Sequence, residues 1–490
     1  MNELLKFSHD RNVPFERSAA ELRDAIDAFA ARPELDGLYD HFERNYSLPR
    51  DIVRQQIRKY LERVYDYKTC RFSKELSTEK IPRMTLRHAG YLLYVVIASR
   101  KYGKTPKRYE LIVEWVLQGE EIDRLSRLIE LFGRENVLIT AAWPVDKPGY
   151  NIEYRPSRRF YDREETLRAF SREIGSLKVY MDLSRRLKVN LLPIAGHILN
   201  QYLYYTSIFK HNRAKYCIQE RHYQTSAIKN FLFRKYGGKC SATTQKNIYQ
   251  TANSGFYYDA DVLFVLGEKA AERAFDYGAR IGRVVPVGSL FMEHAWFNIA
   301  KNKNHLDKKY DIVCVGGNFS RAKESLDSYN SFVDDYYETF KWLADFSREN
   351  PELKIGIKHH GSNIIDEKET EIIRGSNIER IDQNLNSYET CFSARSLVTF
   401  CSTMGYELIA HGIPVVFLDP GRRNVMWFPD KSLIDDCRVT TYEEFSNKIK
   451  SFLLGKAPVH LKTKPEDFCL TSDSVSERIY SYFSSMDNKR

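Results

Sequence analysis

Short apolar stretches of strand length alternate with amphipathic helical patterns along most of this 490-residue chain. Parallel strands need crossover connections, usually helices, so the alternation predicts parallel sheets that carry helices on both faces. A single core of this kind rarely holds so long a chain, and more than one domain is therefore expected. The strand candidates are Tyr91–Ser99, Tyr109–Val116, Asn136–Thr140, Val189–Ala195, Lys215–Gln219, Ala260–Gly267, Arg283–Ser289, Tyr310–Asn318, Leu353–Lys358, Ser396–Phe400 and Pro414–Leu418.

Changes of pattern divide the chain into five parts. The first 84 residues carry apolar positions at helical spacing, and a polar stretch without apolar periodicity interrupts the chain after residue 297. The predicted fold class is α/β, with two Rossmann-like αβα domains that face each other across a cleft and an N-terminal helical extension. The parts are the helical extension (1–84), an N-terminal Rossmann-like domain (85–297), a linker (298–310), a C-terminal Rossmann-like domain (311–455) and a helical tail (456–490).

Several classes of protein are excluded by what the sequence lacks. It contains no apolar run of 18 residues, and its polar start, Met1–Lys6, does not have the layout of a signal peptide, so a cytoplasmic protein is expected. None of its eight cysteines forms a Cys-x-x-Cys pair, and Cys314 and Cys401 lie in apolar segments. We therefore expect buried structural thiols and no metal site.

Candidate ligand-binding residues follow three strands of the C-terminal domain. Ligands of such sheets bind beyond the carboxyl ends of the strands, where backbone N–H groups, hydroxyls and helix N-termini attract phosphate. Each segment also has an ordinary explanation: a tight turn, a structural histidine or a helix-capping carboxylate. The candidates are Gly316, Gly317 and Asn318 after the first strand, Lys358, His359 and His360 after the second, and Ser402, Thr403 and Glu407 after the third.

The third of these segments, Phe400–Phe417, resembles the donor-site turn of GT-B glycosyltransferases, in particular bacterial capsule and surface-carbohydrate families. Those families have a Ser-Ser or Ser-Thr turn, then Gly-aromatic-Glu, then Gly-x-Pro-Val, and this chain has Ser402-Thr403, Gly405-Tyr406-Glu407 and Gly412-Ile-Pro-Val. Lys358-His-His is similar to their Lys-x-His-Pro, with Gly361 where proline is usual. The resemblance extends over roughly residues 85 to 450.

The resemblance implies a metal-independent glycosyltransferase that builds a surface polysaccharide or glycoconjugate, such as capsule or lipopolysaccharide. The nucleotide sugar would be a substrate, with no other cofactor. The C-terminal domain would bind it through the nine candidates, and the N-terminal domain would bind the glycan or glycolipid acceptor. In Kdo-transferase-like and sialyltransferase-like members, the corresponding turns hold the phosphate of a CMP-sugar, so CMP is among the candidate nucleotides.

A fourth segment, Lys210–Ser226, follows a strand of the N-terminal domain, where GT-B enzymes place acceptor contacts. An inverting transferase must remove a proton from the acceptor hydroxyl, and Glu220 and His222 are the titratable candidates for this general base. The alternative is a solvated loop without a catalytic role.

Other functions remain open from the sequence. A nucleotide-sugar epimerase and a polyol-phosphate transferase of the teichoic-acid type have the same fold, and the latter shares the histidine and serine turns. A basic nucleic-acid-binding protein is the non-enzymatic alternative, but no DNA- or RNA-binding signature is present, so no nucleic-acid partner is expected.

The net charge of +10 is concentrated in one segment. Residues 201–250 contain nine Lys or Arg and a single acid, Glu220, a local excess of +8. This predicts a basic face beside the acceptor site, suited to an anionic or lipid-linked acceptor. It also suggests peripheral association with the anionic inner face of the membrane.

Overall fold

The structure is a computed structural model of the whole chain. It describes residues 3–8, 15–66, 71–103, 105–154, 161–246, 257–269, 278–301, 308–316, 330–361, 363–400, 402–422, 437–455, 464–471 and 474–487. The candidates Gly317 and Asn318, as well as Cys401, lie outside these ranges.

The helices and strands alternate after residue 100, as the sequence predicts. The helices are α1 (Glu3–Lys6), α2 (Phe15–Ala30), α3 (Asp36–Tyr46), α4 (Arg50–Val64), α5 (Ile81–Ala98), α6 (Gly119–Phe132), α7 (Arg163–Leu187), α8 (Leu192–His211), α9 (Ala227–Lys235), α10 (Leu290–Lys301), α11 (Asn330–Glu349), α12 (Glu367–Ile373), α13 (Ser387–Phe392), α14 (Thr403–Ile409), α15 (Tyr442–Leu453), α16 (Pro465–Phe468) and α17 (Val475–Asp487). The strands are β1 (Tyr65–Asp66), β2 (Arg71–Phe72), β3 (Lys107–Val116), β4 (Val137–Ala141), β5 (Asn151–Tyr154), β6 (Asn212–Gln219), β7 (Cys240–Thr244), β8 (Asp259–Val265), β9 (Arg280–Pro286), β10 (Tyr310–Val315), β11 (Ile355–Lys358), β12 (Ile378–Arg380), β13 (Ala394–Thr399), β14 (Val415–Leu418) and β15 (Arg438–Val439).

Two parallel sheets form the frame of the molecule. The first has seven strands in the order β5-β4-β3-β6-β7-β8-β9, and the second has six in the order β12-β11-β10-β13-β14-β15. Every pair of neighbouring strands in both sheets is parallel. The predicted fold class, α/β with two such domains, is confirmed. The small ribbon of β1 and β2 is antiparallel and separate.

The helical extension is part of the first domain's core. Side chains of α2, α3 and α4, such as Leu22, Phe42 and Ile57, are buried together with those of α7, α8 and α9 on one face of the first sheet. Ile112 points into this core, whereas its neighbours Leu111 and Val113 point to the opposite face, as the two-residue period of a strand requires.

The C-terminal helix α17 returns to the first domain. Its side chains Val475, Ile479 and Phe483 are buried with α6 on the face of the first sheet opposite the helical extension. The Phe483 ring lies 4.5 Å from the Tyr216 ring, and the Tyr216 hydroxyl donates to the Phe483 carbonyl at 2.7 Å. The helices α2, α3 and α4 and the helix α17 therefore all belong to the first domain.

Two of the strand predictions are wrong. Tyr91–Ser99 lies in α5, and Val189–Ala195 leads into α8. Most side chains of α8 are buried, and the helix begins with the apolar run Leu192–Ala195. A run of that kind has no helical periodicity and cannot be distinguished from a buried strand by pattern.

The predicted basic face is also wrong. Lysines and arginines of residues 201–250 lie largely near the amino-terminal ends of β6 and β7, at the edge opposite the carboxyl ends of the strands. Six of the nine are neutralised by carboxylates from elsewhere in the chain. The pairs are Lys210–Glu165, Lys215–Glu110, Arg221–Glu121, Lys229–Glu114, Arg234–Asp261 and Lys239–Asp487.

Two further properties concern the described residues only. No helix among them is both long and apolar enough to cross a membrane. Six cysteines are buried free thiols, as expected for Cys314; they are Cys217, Cys240, Cys314, Cys391, Cys437 and Cys469.

The packing of α17 predicts that Phe483→Ala destabilises the first domain. Truncation of a fully buried phenylalanine removes apolar contacts and leaves a cavity, so the free energy of unfolding should fall by about 3–5 kcal/mol. Urea unfolding measures the change. Leu454→Ala, at a side chain that is 65% exposed, is the control and should change stability by no more than about 0.5 kcal/mol. A loss below about 1 kcal/mol at Phe483 would show that α17 is not part of the core.

Candidate functional site

The second sheet changes direction at β10. The chain proceeds from β10 to β11 and β12 on one side, then crosses back and adds β13, β14 and β15 on the other. Crossovers leave β10 and β13 in opposite directions, which opens a crevice beyond their carboxyl ends. Gly316 follows β10, Ser402 follows β13, and Lys358 ends the neighbouring β11. The described donor-site candidates near these strand ends therefore share one edge.

Gly316 and His359 are in close contact in this crevice. A Cβ atom on Gly316 would lie 2.6 Å from His359 Nδ1 and 3.1 Å from its Cε1, so only glycine allows this approach. The imidazole is buried, and its Nε2 lies 2.8 Å from Glu369 Oε1. Its Nδ1 has no hydrogen-bond partner among the described residues. A buried polar atom without a partner is costly, so this nitrogen is a candidate for a ligand contact.

Lys358 and His360 differ in exposure. The Lys358 ammonium is buried, and it donates to the carbonyls of His359 at 3.1 Å and of Gln383 at 2.9 Å. Burial lowers the pKa of this ammonium. Lys358 thus braces the backbone around His359, whereas the side chain of His360 is exposed.

Ser402 and Thr403 begin α14 at the same edge. The Ser402 hydroxyl accepts from the Met404 N–H at 3.3 Å, and the Ser402 N–H donates to Thr399 Oγ1 at 3.1 Å. Close packing explains the glycine at position 405, because a Cβ atom there would lie 2.5 Å from Cε1 of Phe417. The glycine lets α14 pack closely on β14 and places its first turn over the crevice.

Glu407 lies in an apolar interior and faces the first domain. One carboxylate oxygen accepts from the hydroxyl of Ser289, and the other accepts from the Tyr388 hydroxyl at 2.8 Å. Burial raises the pKa of this carboxyl to about 7, although both hydrogen bonds act in the opposite direction. Since Ser289 comes directly before α10, Glu407 links the second sheet to the segment between the domains.

Glu220 lies at the corresponding edge of the first sheet. That sheet also changes direction in its interior, between β3 and β6, and Glu220 directly follows β6. Arg124 holds its carboxylate with two hydrogen bonds, from Nε at 2.7 Å and from a terminal nitrogen at 3.0 Å. Glu220 lines a small pocket with Glu121, Arg221 and Trp115. Trp115 has a φ of 63°, an uncommon backbone state for a bulky residue.

His222, two residues after Glu220, is buried. Its Nδ1 accepts from the Lys246 N–H at 3.2 Å, and its ring lies 5.2 Å from that of Tyr258. Burial lowers the pKa of His222 to about 3, and the charges of Lys59 and Lys246 act in the same direction. The imidazole is therefore neutral at physiological pH, but it is a weak base.

A chain of contacts joins the two edges across the domains. The Arg124 guanidinium that holds Glu220 also lies over the Phe291 ring of α10, 4.3 Å from its centroid. Phe291 stacks on Tyr388 at 6.3 Å, and Tyr388 donates to Glu407. The carboxyl edges of the two sheets consequently face the same cleft, which brings the predicted base residues and the predicted donor residues to its two sides.

Several residues of this arrangement were not predicted from the sequence. Arg124, Phe291, Glu369 and Tyr388 lie on helices without a local motif, and Ser289 was considered only as the last residue of a predicted strand. Their importance follows from contacts between distant parts of the chain. The roles of the predicted residues in binding and catalysis stay predictions.

Among the described residues, no group of three or more His, Cys, Asp or Glu side chains is arranged to hold a metal ion. Metal independence itself stays a prediction.

Comparison with known proteins identifies no family. No family model and no curated protein matches the chain. Solved structures with similar folds include S. aureus MnaA in a co-structure with UDP, with 11% identity over 77% of this chain and 97% of that chain and a TM-score of 0.45. Acinetobacter baumannii MurG has 10% identity over 77% of this chain and 100% of that chain, with a TM-score of 0.41. The wall teichoic acid polymerase TagF, soaked with CDPG, has 10% identity over 83% of this chain and 98% of that chain, with a TM-score of 0.42.

Identities of 10–11% and TM-scores below 0.5 do not indicate which activity this chain has. The assignment of two parallel α/β domains rests on the strand order described above. The specific resemblance to Kdo-transferase-like or sialyltransferase-like enzymes stays a prediction from the sequence.

The contact between Gly316 and His359 predicts that Gly316→Ala destabilises the second domain. The added methyl group must displace a buried ring that Glu369 holds, and overpacking of this kind costs about 1–3 kcal/mol. The matched control is Gly361→Ala, whose new Cβ would meet only the Gln383 carbonyl, at 3.6 Å. Urea unfolding of both variants tests the prediction, and equal losses of stability would contradict it.

The raised pKa of Glu407 predicts a dependence of stability on pH. The folded chain holds this proton more tightly than the unfolded chain, where the carboxyl has its ordinary pKa of 4.5. The contribution of Glu407 to stability is therefore complete below pH 4.5 and is lost as the pH rises through 7.

Glu407→Gln removes this titration. As the pH rises from 5 to 8, the free energy of unfolding of the variant should increase relative to that of the unmodified protein, by on the order of 3 kcal/mol at most. Urea unfolding of both proteins at the two pH values gives the comparison. A stability difference that is the same at both values would show that Glu407 does not titrate in this range.

Proposed function

We propose that the protein is a metal-independent glycosyltransferase that moves a sugar from a nucleotide sugar to a glycan or glycolipid acceptor of a surface polysaccharide. The observation that carries the proposal is the Nδ1 of buried His359, which has no hydrogen-bond partner among the described residues and lies against Gly316 at the direction change of the second sheet. This is the position at which open parallel sheets bind nucleotides.

The second domain would bind the nucleotide sugar. The N-terminal end of α14 and the hydroxyls of Ser402 and Thr403 would face a phosphate. His359 Nδ1, at the carboxyl end of β10, would contact a polar group of the nucleotide. These groups are fixed by packing before the substrate arrives, so they can stabilise the charge that develops on the leaving nucleotide.

The first domain would bind the acceptor. In an inverting reaction, the acceptor hydroxyl loses its proton to a base while its oxygen attacks the anomeric carbon, and the bond from that carbon to the phosphate oxygen breaks. Glu220 is one candidate for the base, and Arg124 fixes its orientation with two hydrogen bonds, one to each carboxylate oxygen. His222 is the weaker candidate because of its low pKa.

In this proposal, the role of Glu407 differs from that of the other donor-site candidates, because its carboxylate is already hydrogen-bonded. Its two carboxylate oxygens hold Ser289 and Tyr388, and Tyr388 stacks on the ring that covers Arg124. Contact between Glu407 and the donor would require at least one of these hydrogen bonds to exchange. The carboxylate would then couple donor binding to the relative position of the two domains.

The proposal predicts that one class of nucleotide binds and that binding depends on His359. Calorimetric titration with CMP, CDP, UDP and GDP should identify a preferred nucleotide. His359→Gln, which loses the imidazole Nδ1, should weaken its binding at least tenfold. His411→Gln, at the opposite end of α14, is the control and should bind as the unmodified protein does. Equal affinities in both variants, or no binding of any nucleotide, would contradict the proposed site.

The products then distinguish the chemistry. Incubation with CMP-, UDP- and GDP-sugars and with CDP-glycerol should release nucleotide from a sugar donor. Consumption of CDP-glycerol alone would instead identify a polyol-phosphate transferase, and conversion of UDP-GlcNAc into its C2 epimer would identify an epimerase.

A further inference from the structure

Two neighbouring helices of the first domain expose a large apolar surface. α5 and α7 pack side by side, and both carry large apolar side chains on the solvent side. Leu86 and Ile97 of α5 are 77% and 74% exposed. The complete set is Leu86, Leu93, Tyr94 and Ile97 on α5 and Leu167, Ile174 and Val179 on α7. We call this surface the α5–α7 face.

The α5 part of this face is a continuous line. The core side of α5 consists of Ile81, Met84, His88, Leu92 and Val95. With about 100° of rotation per residue, Leu86, Leu93 and Ile97 project almost directly away from that side. A helix at the surface of a globular domain normally has polar residues there. The packing of the first domain does not explain why these three exposed residues are apolar.

Basic side chains also lie on these two helices. The exposed residues Arg83 on α5 and Lys178 and Arg186 on α7 form no ion pair with any described residue. The sequence of α5 contains no Asp or Glu at all. The acids of α7 that are not buried, Glu164 and Asp182, are already paired with Arg168 and Arg185 of the same helix. The face is therefore both apolar and positively charged.

We propose that the α5–α7 face docks on an anionic lipid bilayer. Leu86, Leu93 and Ile97 would enter the boundary between headgroups and acyl chains, and the free cations would contact lipid phosphates. The positive charge of the α5–α7 face favours an anionic bilayer over a second copy of the chain. In a symmetric dimer the face would meet its own copy, so that the cations of both would repel each other. The proposal does not depend on the chemistry proposed for the second domain.

Vesicle sedimentation of the full chain tests the proposal. At low salt the protein should bind vesicles of phosphatidylcholine and phosphatidylglycerol but not vesicles of phosphatidylcholine alone, and added salt should weaken the binding. Leu86→Ser/Ile97→Ser should reduce the bound fraction at least fivefold. Lys178→Glu/Arg186→Glu should do the same. Because all four side chains are exposed, these variants should fold normally, which circular dichroism verifies.

Each double variant has a matched control. Leu385→Ser/Leu454→Ser changes two exposed leucines of the second domain, and Arg213→Glu/Lys235→Glu reverses two exposed charges of the basic segment. Both controls should bind vesicles as the unmodified protein does. The proposal is wrong if the unmodified protein does not bind anionic vesicles or if the controls lose as much binding as the variants. A dimer in solution that Leu86→Ser/Ile97→Ser converts into monomers would instead identify the face as a protein interface.

Discussion

Parallel pairing of β10 with both β11 and β13 is the constraint on which the candidate site depends. Parallel neighbours bring their carboxyl ends to one edge, and the change of chain direction at β10 leaves a crevice there. Segments that are far apart in sequence, after residues 315, 358 and 399, thereby converge. The convergence also explains Gly316, since the buried ring of His359 occupies the space that a side chain would need.

The two domains are connected through side chains that also hold the predicted site residues. Arg124 orients Glu220 and covers Phe291, Phe291 stacks on Tyr388, and Tyr388 holds Glu407. Glu407 has a pKa near 7 because it is buried between the domains, so its charge changes within the physiological pH range. A rearrangement at this contact would change the positions of side chains at both edges of the cleft. The buried carboxylate is thus part of the interface between domains as well as a candidate ligand.

The second sheet was largely predictable from the sequence, and the helical layer of the first domain was not. Strands β10, β11, β13 and β14 are buried on both faces, so each is a short apolar run followed by glycine or polar residues. The same signal failed for α5 and α8. α8 is apolar because it is buried on most sides, whereas α5 is apolar on its solvent side as well. The local charge excess of residues 201–250 was misleading, because its partners, such as Asp261 and Asp487, come from other parts of the chain.

Hydrogen–deuterium exchange in the presence of nucleotides tests the central claim, that the carboxyl edge of the second sheet binds the donor. With the preferred nucleotide among CMP, CDP, UDP and GDP at millimolar concentration, exchange should slow at least tenfold in peptides that cover residues 355–361 and 402–409. Exchange in α5, which packs in the core of the first domain, should be unchanged. Unchanged exchange at the carboxyl edge with every nucleotide, or slowing confined to the first domain, would contradict the account.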